Sequence, residues 1–380
     1  MRVVIDTIDT YSGGYLTYLK GLLSSKSIPS GISVIVCCSR KFKKDIGNVD
    51  NVVEFLVDKK ISSSRIKMYF WRRNILPRIL KDLKADIHFN PGGQLIKNYN
   101  HNVPAVSVCL NLLPFSKKIR NSYPFFSKER FYLAALAYSQ SKTFQQADGV
   151  IFLNDYVLEV VRKYGVKIKK AIIIPFGMSD IFRGQPILKR FPINPRILYV
   201  SPFQFYKNQW NVAEAVDILR KNTGIDLRLQ FVGGDERLGT SRYEKMMCNL
   251  GYPKWIERIK SVSFHQMPKI YRKSDIFVFA SSIENMPNIL MEAMAVGLPI
   301  ACSNIRPMTD ILGDAGVYFN PFSPETIANA IQTLIKNPEL RVNLAIKAQK
   351  RVSIFSWKKT VEATFDFLRL VAGVKDRSKI

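Results

Sequence analysis

Short apolar runs alternate with longer amphipathic stretches along almost the whole chain. In the first half this rhythm predicts strands at Val3–Ile8, Ile32–Cys38, Val52–Val57, Asp86–Asn90, Ala105–Asn111, Gly149–Leu153 and Ala171–Ile174. Helices are expected between them at Gly14–Leu23, Lys67–Leu83, Ser127–Gln146 and Tyr156–Tyr164. The pattern stops at Arg183–Pro195, RGQPILKRFPINP, whose prolines and lack of period mark a linker. It restarts with strands at Ile197–Ser201, Leu227–Val232, near Ser261–Phe264, at Ile276–Ala280 and at Pro299–Ser303. The helices of this half are expected at Asn208–Arg220, Arg242–Leu250, Pro268–Arg272, Asn288–Val296, Pro324–Ile335, Pro338–Val352 and Trp357–Val371. Regular strand–helix alternation implies an α/β protein with parallel sheets, here two domains over 1–182 and 196–356 with the linker 183–195 between them.

In parallel sheets, ligands bind beyond the carboxyl ends of the strands. Gly13 and Gly14 follow the first predicted strand, Gly92 and Gly93 the fourth, and Asn111 ends the fifth. Gly177, Gly233 with Gly234, and Glu284 also follow strands. The most informative stretch is Ser281–Met294, SSIENMPNILMEAM, which sets Glu284 in a loop and Glu292 in the helix after it. Pro287 suits the start of that helix, since its φ is fixed and its missing N–H is not needed there. Free N–H groups at a helix start attract an anion, and carboxylates accept hydrogen bonds from hydroxyls. A ligand carrying both an anionic group and hydroxyls fits this combination.

Composition narrows the class. Apolar residues make up 47% of 380, as in ordinary globular proteins. The start, MRVVIDTIDTYSGG, reads as a strand and not as a secretory signal, which points to a cytoplasmic protein. Five cysteines without a CxxC read as free thiols, and none of the three histidines has a metal-ligand partner at useful spacing. No metal is expected. The net charge is +27, of which 57 Lys and Arg against 30 Asp and Glu are the source. The first 190 residues carry +18 (31 basic, 13 acidic) and the rest +9 (26 basic, 17 acidic). Such a surface attracts nucleic acid, anionic lipid or small anions. No nucleic-acid-binding motif accompanies the charge, so no nucleic-acid partner is expected. Lys59–Asp82 and Phe115–Arg130 mix cations with aromatics, a composition suited to the headgroup layer of an anionic membrane. Helical spacing equally allows Met68, Tyr69, Trp71 and Ile75 to be core.

The run Phe264–Pro321, with FHQMPKIYRKSDIFVFASS, ENMPNILME and AMAVGLPIACSNIRPMTDILGDAGVYFNP, resembles the donor-binding half of retaining glycosyltransferases of the GT4-like group (GT-B fold). The resemblance reaches more weakly to Ser12-Gly13-Gly14, Pro175-Phe176-Gly177, Lys207 and Ser356-Trp357. It implies two Rossmann-like domains facing a cleft, with the last helix, 357–380, packed back on the first. It implies a metal-independent enzyme without a cofactor that moves a hexose-type sugar from a nucleotide-diphospho-sugar to a lipid-linked or polysaccharide acceptor. The acceptor of such enzymes in bacterial surface-glycan synthesis is a polyisoprenyl-diphosphate-linked glycan at the inner face of the plasma membrane. In this reading Glu284 and Lys207 are catalytic, one beside the sugar and one on the departing diphosphate. Glu292 holds the ribose hydroxyls. Pro287, Asn288, Ile289, Leu290, Gly13, Gly14 and Gly233 line the donor site, and Asn111 and Gly177 the acceptor or sugar. Two departures stand out: Ser201-Pro202 replace the Gly-Arg often found before the lysine, and Asn111 replaces a histidine. The alternatives to this reading are a GT-B relative of other chemistry, such as a sugar-nucleotide epimerase, and more remotely a basic nucleic-acid-binding protein.

Overall fold

The computed structural model describes residues 1–7, 13–24, 27–62, 64–96, 103–186, 191–234, 237–260 and 262–374. The chain forms two compact units, Met1–Gly177 with Phe355–Ile380, and Met178–Ile354. The first is built on a seven-stranded sheet of β1 (Arg2–Asp6), β2 (Ser33–Cys38), β3 (Val53–Val57), β4 (Ile87–Asn90), β5 (Ala105–Val108), β6 (Gly149–Phe152) and β7 (Ala171–Ile173). The second has six: β8 (Arg196–Val200), β9 (Arg228–Val232), β10 (Ile256–Ile259), β11 (Ile276–Phe279), β12 (Ile300–Ser303) and β13 (Val317–Phe319). Every pairing is parallel. The order is β3-β2-β1-β4-β5-β6-β7 in one sheet and β10-β9-β8-β11-β12-β13 in the other. Both follow the doubly wound Rossmann arrangement, in which the chain reverses its direction of travel between the first and fourth strands. The crevices of interest therefore lie at the carboxyl ends of β1 and β4, and of β8 and β11. The central strands are buried on both faces, as β4, β5, β11 and β12 show, because helices cover both sides.

Several elements differ from their sequence expectation. The strand expected near Ser261–Phe264 is β10, several residues earlier; Phe264–Gln266 is a 3₁₀ turn, and Ser261 lies outside the described residues. Glu257 and Arg258 break the apolar run, yet an edge strand tolerates charge, and Gln230 Nε2 donates to Glu257 Oε2 at 2.8 Å. The helix expected over Lys67–Leu83 is two, Arg65–Asn74 and Leu76–Asp82, since Pro77 lacks the N–H that an unbroken helix needs. The helices Arg40–Ile46 and Met308–Leu312, and the short edge strand β13, have no counterpart in the sequence reading. The units meet at Gly177, not at residue 182. Phe182 is fully buried on the second unit, with ring centroids 5.5 Å from Phe264 and 5.8 Å from Tyr271. Part of the expected linker also packs there, with Phe191 beneath the Arg341 guanidinium at 3.6 Å; residues 187–190 lie outside the described residues. Cys248 is exposed, whereas the other four free cysteines are buried.

The last helix, Trp357–Ala372, is part of the first unit. Trp357 stacks on Phe176 at 6.1 Å and lies 6.4 Å from Tyr18. Glycines make room for this packing. A Cβ on Gly21 would stand 2.2 Å from the indole, one on Gly177 2.2 Å from the Trp357 backbone, and one on Gly149 2.7 Å from Phe367.

At the crevice of the first sheet, Asp6 closes β1 wholly buried. Its carboxylate accepts from Arg72 Nε at 2.6 Å, lies 2.8 Å from His88 Nε2, and accepts from Asn90 Nδ2 at 2.6 Å. Arg72 extends the network to Gln94 Oε1 at 2.7 Å, and Gln94 N donates to Asn90 Oδ1 at 2.8 Å. Burial alone would raise the Asp6 pKa, but Arg72, His88 and the Asn90 amide together hold it well below the usual carboxylate range. A carboxylate held low in the fold contributes stability above its unfolded pKa and loses it as pH falls below that value. Stability from this group should therefore decline below about pH 4. Asp6→Asn should lose about 3–5 kcal/mol at neutral pH, because Arg72 is left buried without its counter-charge. Urea unfolding at pH 7 and pH 3 checks both. A variant as stable as the parent at pH 7 contradicts the network's role.

Candidate active site

The crevice of the second sheet is built by two loops that hold each other. After β8 the chain passes close under β9: a Cβ on Gly233 would fall 1.9 Å from the Ser201 carbonyl oxygen, and one on Gly239 1.6 Å from that of Phe203. Glycine is required at both places. Residues Phe205–Lys207 form a 3₁₀ turn, and Asn208 follows in the left-handed region at φ 55°. Asparagine is among the few residues that adopt it readily. Its amide donates to the Ala280 carbonyl at 2.8 Å and to that of Tyr206 at 3.2 Å. From the other side Ser282 donates its N–H and its hydroxyl to the Tyr206 carbonyl at 2.8 and 3.0 Å. The loop after β8 is thus fixed to the loop after β11.

Those ties bring Lys207 and Glu284 together. The Lys207 ammonium donates to Glu284 Oε1 in an ion pair with side chains only 7% and 14% exposed. The ammonium also lies over the rings of Tyr206 at 5.2 Å and Phe279 at 5.6 Å. The Tyr199 hydroxyl donates to the Lys207 carbonyl from beneath. Two residues 77 apart in sequence thereby form one pre-set charge pair at the switch point.

Beyond Glu284 the helix Asn288–Val296 begins, and Gly297 ends it in the left-handed conformation at φ 75°. Pro287 is the cap residue, one place before the first turn expected of it. The Asn288 N–H is used by the Met286 carbonyl at 2.9 Å, and Met291 N donates to Pro287 O at 3.1 Å. The N–H groups of Ile289 and Leu290, at the helix start, have no acceptor among the described residues. Together with the helix dipole they favour an anion. One turn on, Glu292 is partly open to solvent, and its Oε2 accepts from the Tyr271 hydroxyl at 2.9 Å. Burial, only partly offset by that hydrogen bond, raises the Glu292 pKa to about 7.

The other expected positions fall as follows. Gly13 and Gly14 start the helix Gly13–Leu23, and a Cβ on Gly14 would meet nothing within 4 Å; Ser12 lies outside the described residues. Asn111 follows β5, which ends at Val108, and its Oδ1 accepts from Leu113 N at 3.1 Å. Gly177 lies against the Trp357 backbone and Gly233 against Ser201. The sequence reading missed Tyr271 and Asn208. Tyr271 lies in the short predicted helix Pro268–Arg272 among Lys269, Arg272 and Lys273, and Asn208 opens the predicted helix Asn208–Arg220, so neither carries a local signal for the site.

Residues 186–351 match the family described as Glycosyl transferases group 1. The chain is 26% identical over 117 residues to O-antigen chain mannosyltransferase B of Escherichia coli, 31% of either protein. It spans about a third to a half of the length of the curated relatives it matches first. Among solved structures it is similar to sucrose-phosphate synthase from Thermosynechococcus elongatus, with a TM-score of 0.76, 15% identity and 98% and 99% of the two chains covered. HepE from Anabaena, solved with UDP and glucose, gives a TM-score of 0.74 at 15% identity, covering 97% and 100%. At such identities these likenesses show the fold, two Rossmann-like domains of the GT-B kind. The segment that matches the glycosyl transferases of group 1 lies in the unit that carries Lys207, Glu284, Glu292 and the open helix start.

Proposed function

We propose that this protein is a retaining, metal-independent glycosyltransferase that moves a hexose-type sugar from a nucleotide-diphospho-sugar to a lipid-linked or polysaccharide acceptor of bacterial surface glycan. The observation that carries the reading is the arrangement at the second sheet's switch point. A buried Lys207–Glu284 pair, a helix start with the free N–H groups of Ile289 and Leu290, and the Glu292 carboxyl are gathered in one unit. The UDP and glucose in HepE and the O-antigen relative support the donor class and the kind of glycan.

In this reading the diphosphate rests on the helix start. As the bond to the sugar breaks, negative charge grows on the departing phosphate, and the Lys207 ammonium stabilises it without reorganising. The developing positive charge on the sugar ring is met by Glu284. Because Lys207 is already held beside Glu284, neither group has to be ordered during the reaction. Glu292 accepts hydrogen bonds from the ribose. Asn111 and Gly177 are the positions proposed for the acceptor side, and Gly13, Gly14 and Gly233 for the donor side.

Localisation at the inner face of the plasma membrane is part of the proposal. No described helix is long and apolar enough to cross a membrane. The ambiguous basic stretches divide: Met68 and Trp71 are core, whereas Ile66, Tyr69 and Phe70 are exposed. Phe125, Phe126 and Phe131 are exposed as well, with the Arg130 guanidinium 4.7 Å over the Phe125 ring. Each basic residue near an anionic surface adds about 1 kcal/mol of attraction.

Two measurements check these proposals. In steady-state kinetics, Lys207→Ala should lower kcat about 10²-fold, and Glu292→Ala should instead raise the donor KM by about 10–100-fold, the loss of a hydrogen bond to a charged group. An unchanged kcat in the first, or an unchanged KM in the second, removes that residue from its role. In vesicle flotation, the protein should rise with phosphatidylglycerol vesicles, stay down with phosphatidylcholine alone, and release at high salt. Flotation that ignores lipid charge contradicts the membrane proposal.

A further inference from the structure

The Tyr271 hydroxyl stands between two acceptors and has one proton. It lies 2.9 Å from Glu292 Oε2 and 3.3 Å from the carbonyl of Ile289 in the first turn of the same helix. The ring is fully buried between Phe182, with centroids 5.8 Å apart, and Phe277, at 5.7 Å. Packing of that kind fixes where the oxygen sits and leaves only the proton to choose. When Glu292 is ionised, the hydroxyl donates to the carboxylate. When Glu292 is protonated, the carboxyl donates to the Tyr271 oxygen, and the tyrosine proton turns to the Ile289 carbonyl.

We propose that Tyr271 is a positioning residue that favours the ionised form of Glu292 and aims it at the ribose diol, so that at lower pH binding of the nucleotide-sugar is coupled to loss of one proton at Glu292. The inference rests on the donor-site reading above and assigns that site a pH dependence. A diol has hydroxyl protons to give, and a carboxylate accepts two of them, whereas a protonated carboxyl already turned toward Tyr271 accepts fewer. The raised pKa of Glu292, about 7, sets the range in which the two forms exchange.

Of the other charges near this helix, Lys269, Glu339 and Lys350 are exposed, Arg341 donates to the carbonyls of Leu334 and Ile335, and the rest are engaged elsewhere. The elements packed on it are Met267–Arg272, Asp180–Phe182, Met308–Leu312 and Pro338–Val352. Asp180 pairs with Arg183, Asp310 with Arg306 and Lys347 with Asp314. Arg272 donates to the Arg183 carbonyl, and Arg351 to those of Ile311 and Asp310. Burial and Tyr271 are the influences that act on the Glu292 carboxyl.

Affinity for the donor should be full above about pH 7 and fall as pH drops through that value. Tyr271→Phe removes the one hydroxyl that favours the charged form, so the limb should move up by about one pH unit, a tenfold change in proton affinity. Calorimetric titration with UDP-glucose and GDP-mannose from pH 5.5 to 9 tests this, because the phosphates of both probes are diesters that do not titrate near neutrality. The parent should show the limb for whichever probe binds. Tyr271→Phe should bind more weakly at pH 7 and match the parent at pH 9, and Glu292→Gln should be flat across the range. A Tyr271→Phe profile that overlays the parent's, while Glu292→Ala still weakens binding, overturns the role of Tyr271 and leaves the donor site standing. Unchanged binding in Glu292→Ala overturns the donor-site reading itself.

Discussion

The second unit depends on one contact, the ion pair of Lys207 with Glu284. Bringing a lysine and a glutamate out of water is unfavourable unless each satisfies the other and the surroundings hold them in place. Here the loops that present them are joined by Asn208 and Ser282, and the Tyr199 hydroxyl fixes the lysine's own carbonyl. The close passage of the chain under Gly233 and Gly239 then determines where the lysine loop runs. A single charge pair thus couples the ends of two neighbouring strands to one another and to the start of the helix that follows Glu284.

The two sheets share a strand order but their crevices differ in chemistry. In the second unit the crevice keeps polar groups at hand: two helix N–H groups without an acceptor among the described residues, and a carboxyl that is partly open to solvent. In the first, Asp6, Arg72, His88 and Asn90 are buried and bonded mainly to one another. One arrangement suits recognition of a ligand, and the other holds strands and a helix in register. The polarity of the first crevice is structural in its contacts even though its residue types resemble those of a catalytic site.

The parts of this fold that were legible in the sequence share a local cause. The helix Asn288–Val296 is bounded by a proline and a glycine and filled with good helix formers, so its ends are encoded within it. The buried strand β11 is an unbroken apolar run. What was missed depends on distant partners. β10 is interrupted by charges that an edge strand accepts once β9 is beside it. Asp6 and Arg72 are 66 residues apart, and nothing near either predicts their meeting. Tyr271 lies 21 residues from Glu292, in a short helix with charged neighbours Lys269 and Arg272; its ring is core, and only the hydroxyl at its tip serves the site. Lys207 was found through likeness to a family, since a lysine after a strand carries no local signal.

In the proposed function the end of the second sheet grips a nucleotide through its diphosphate and its pentose. The most direct measurement is a crystal structure with a nucleoside diphosphate bound. Phosphate oxygens should lie on the N–H groups of Ile289 and Leu290 and near the Lys207 ammonium, with the ribose hydroxyls on Glu292. A nucleotide bound with its diphosphate away from that helix start, or with its ribose turned from Glu292, would contradict it.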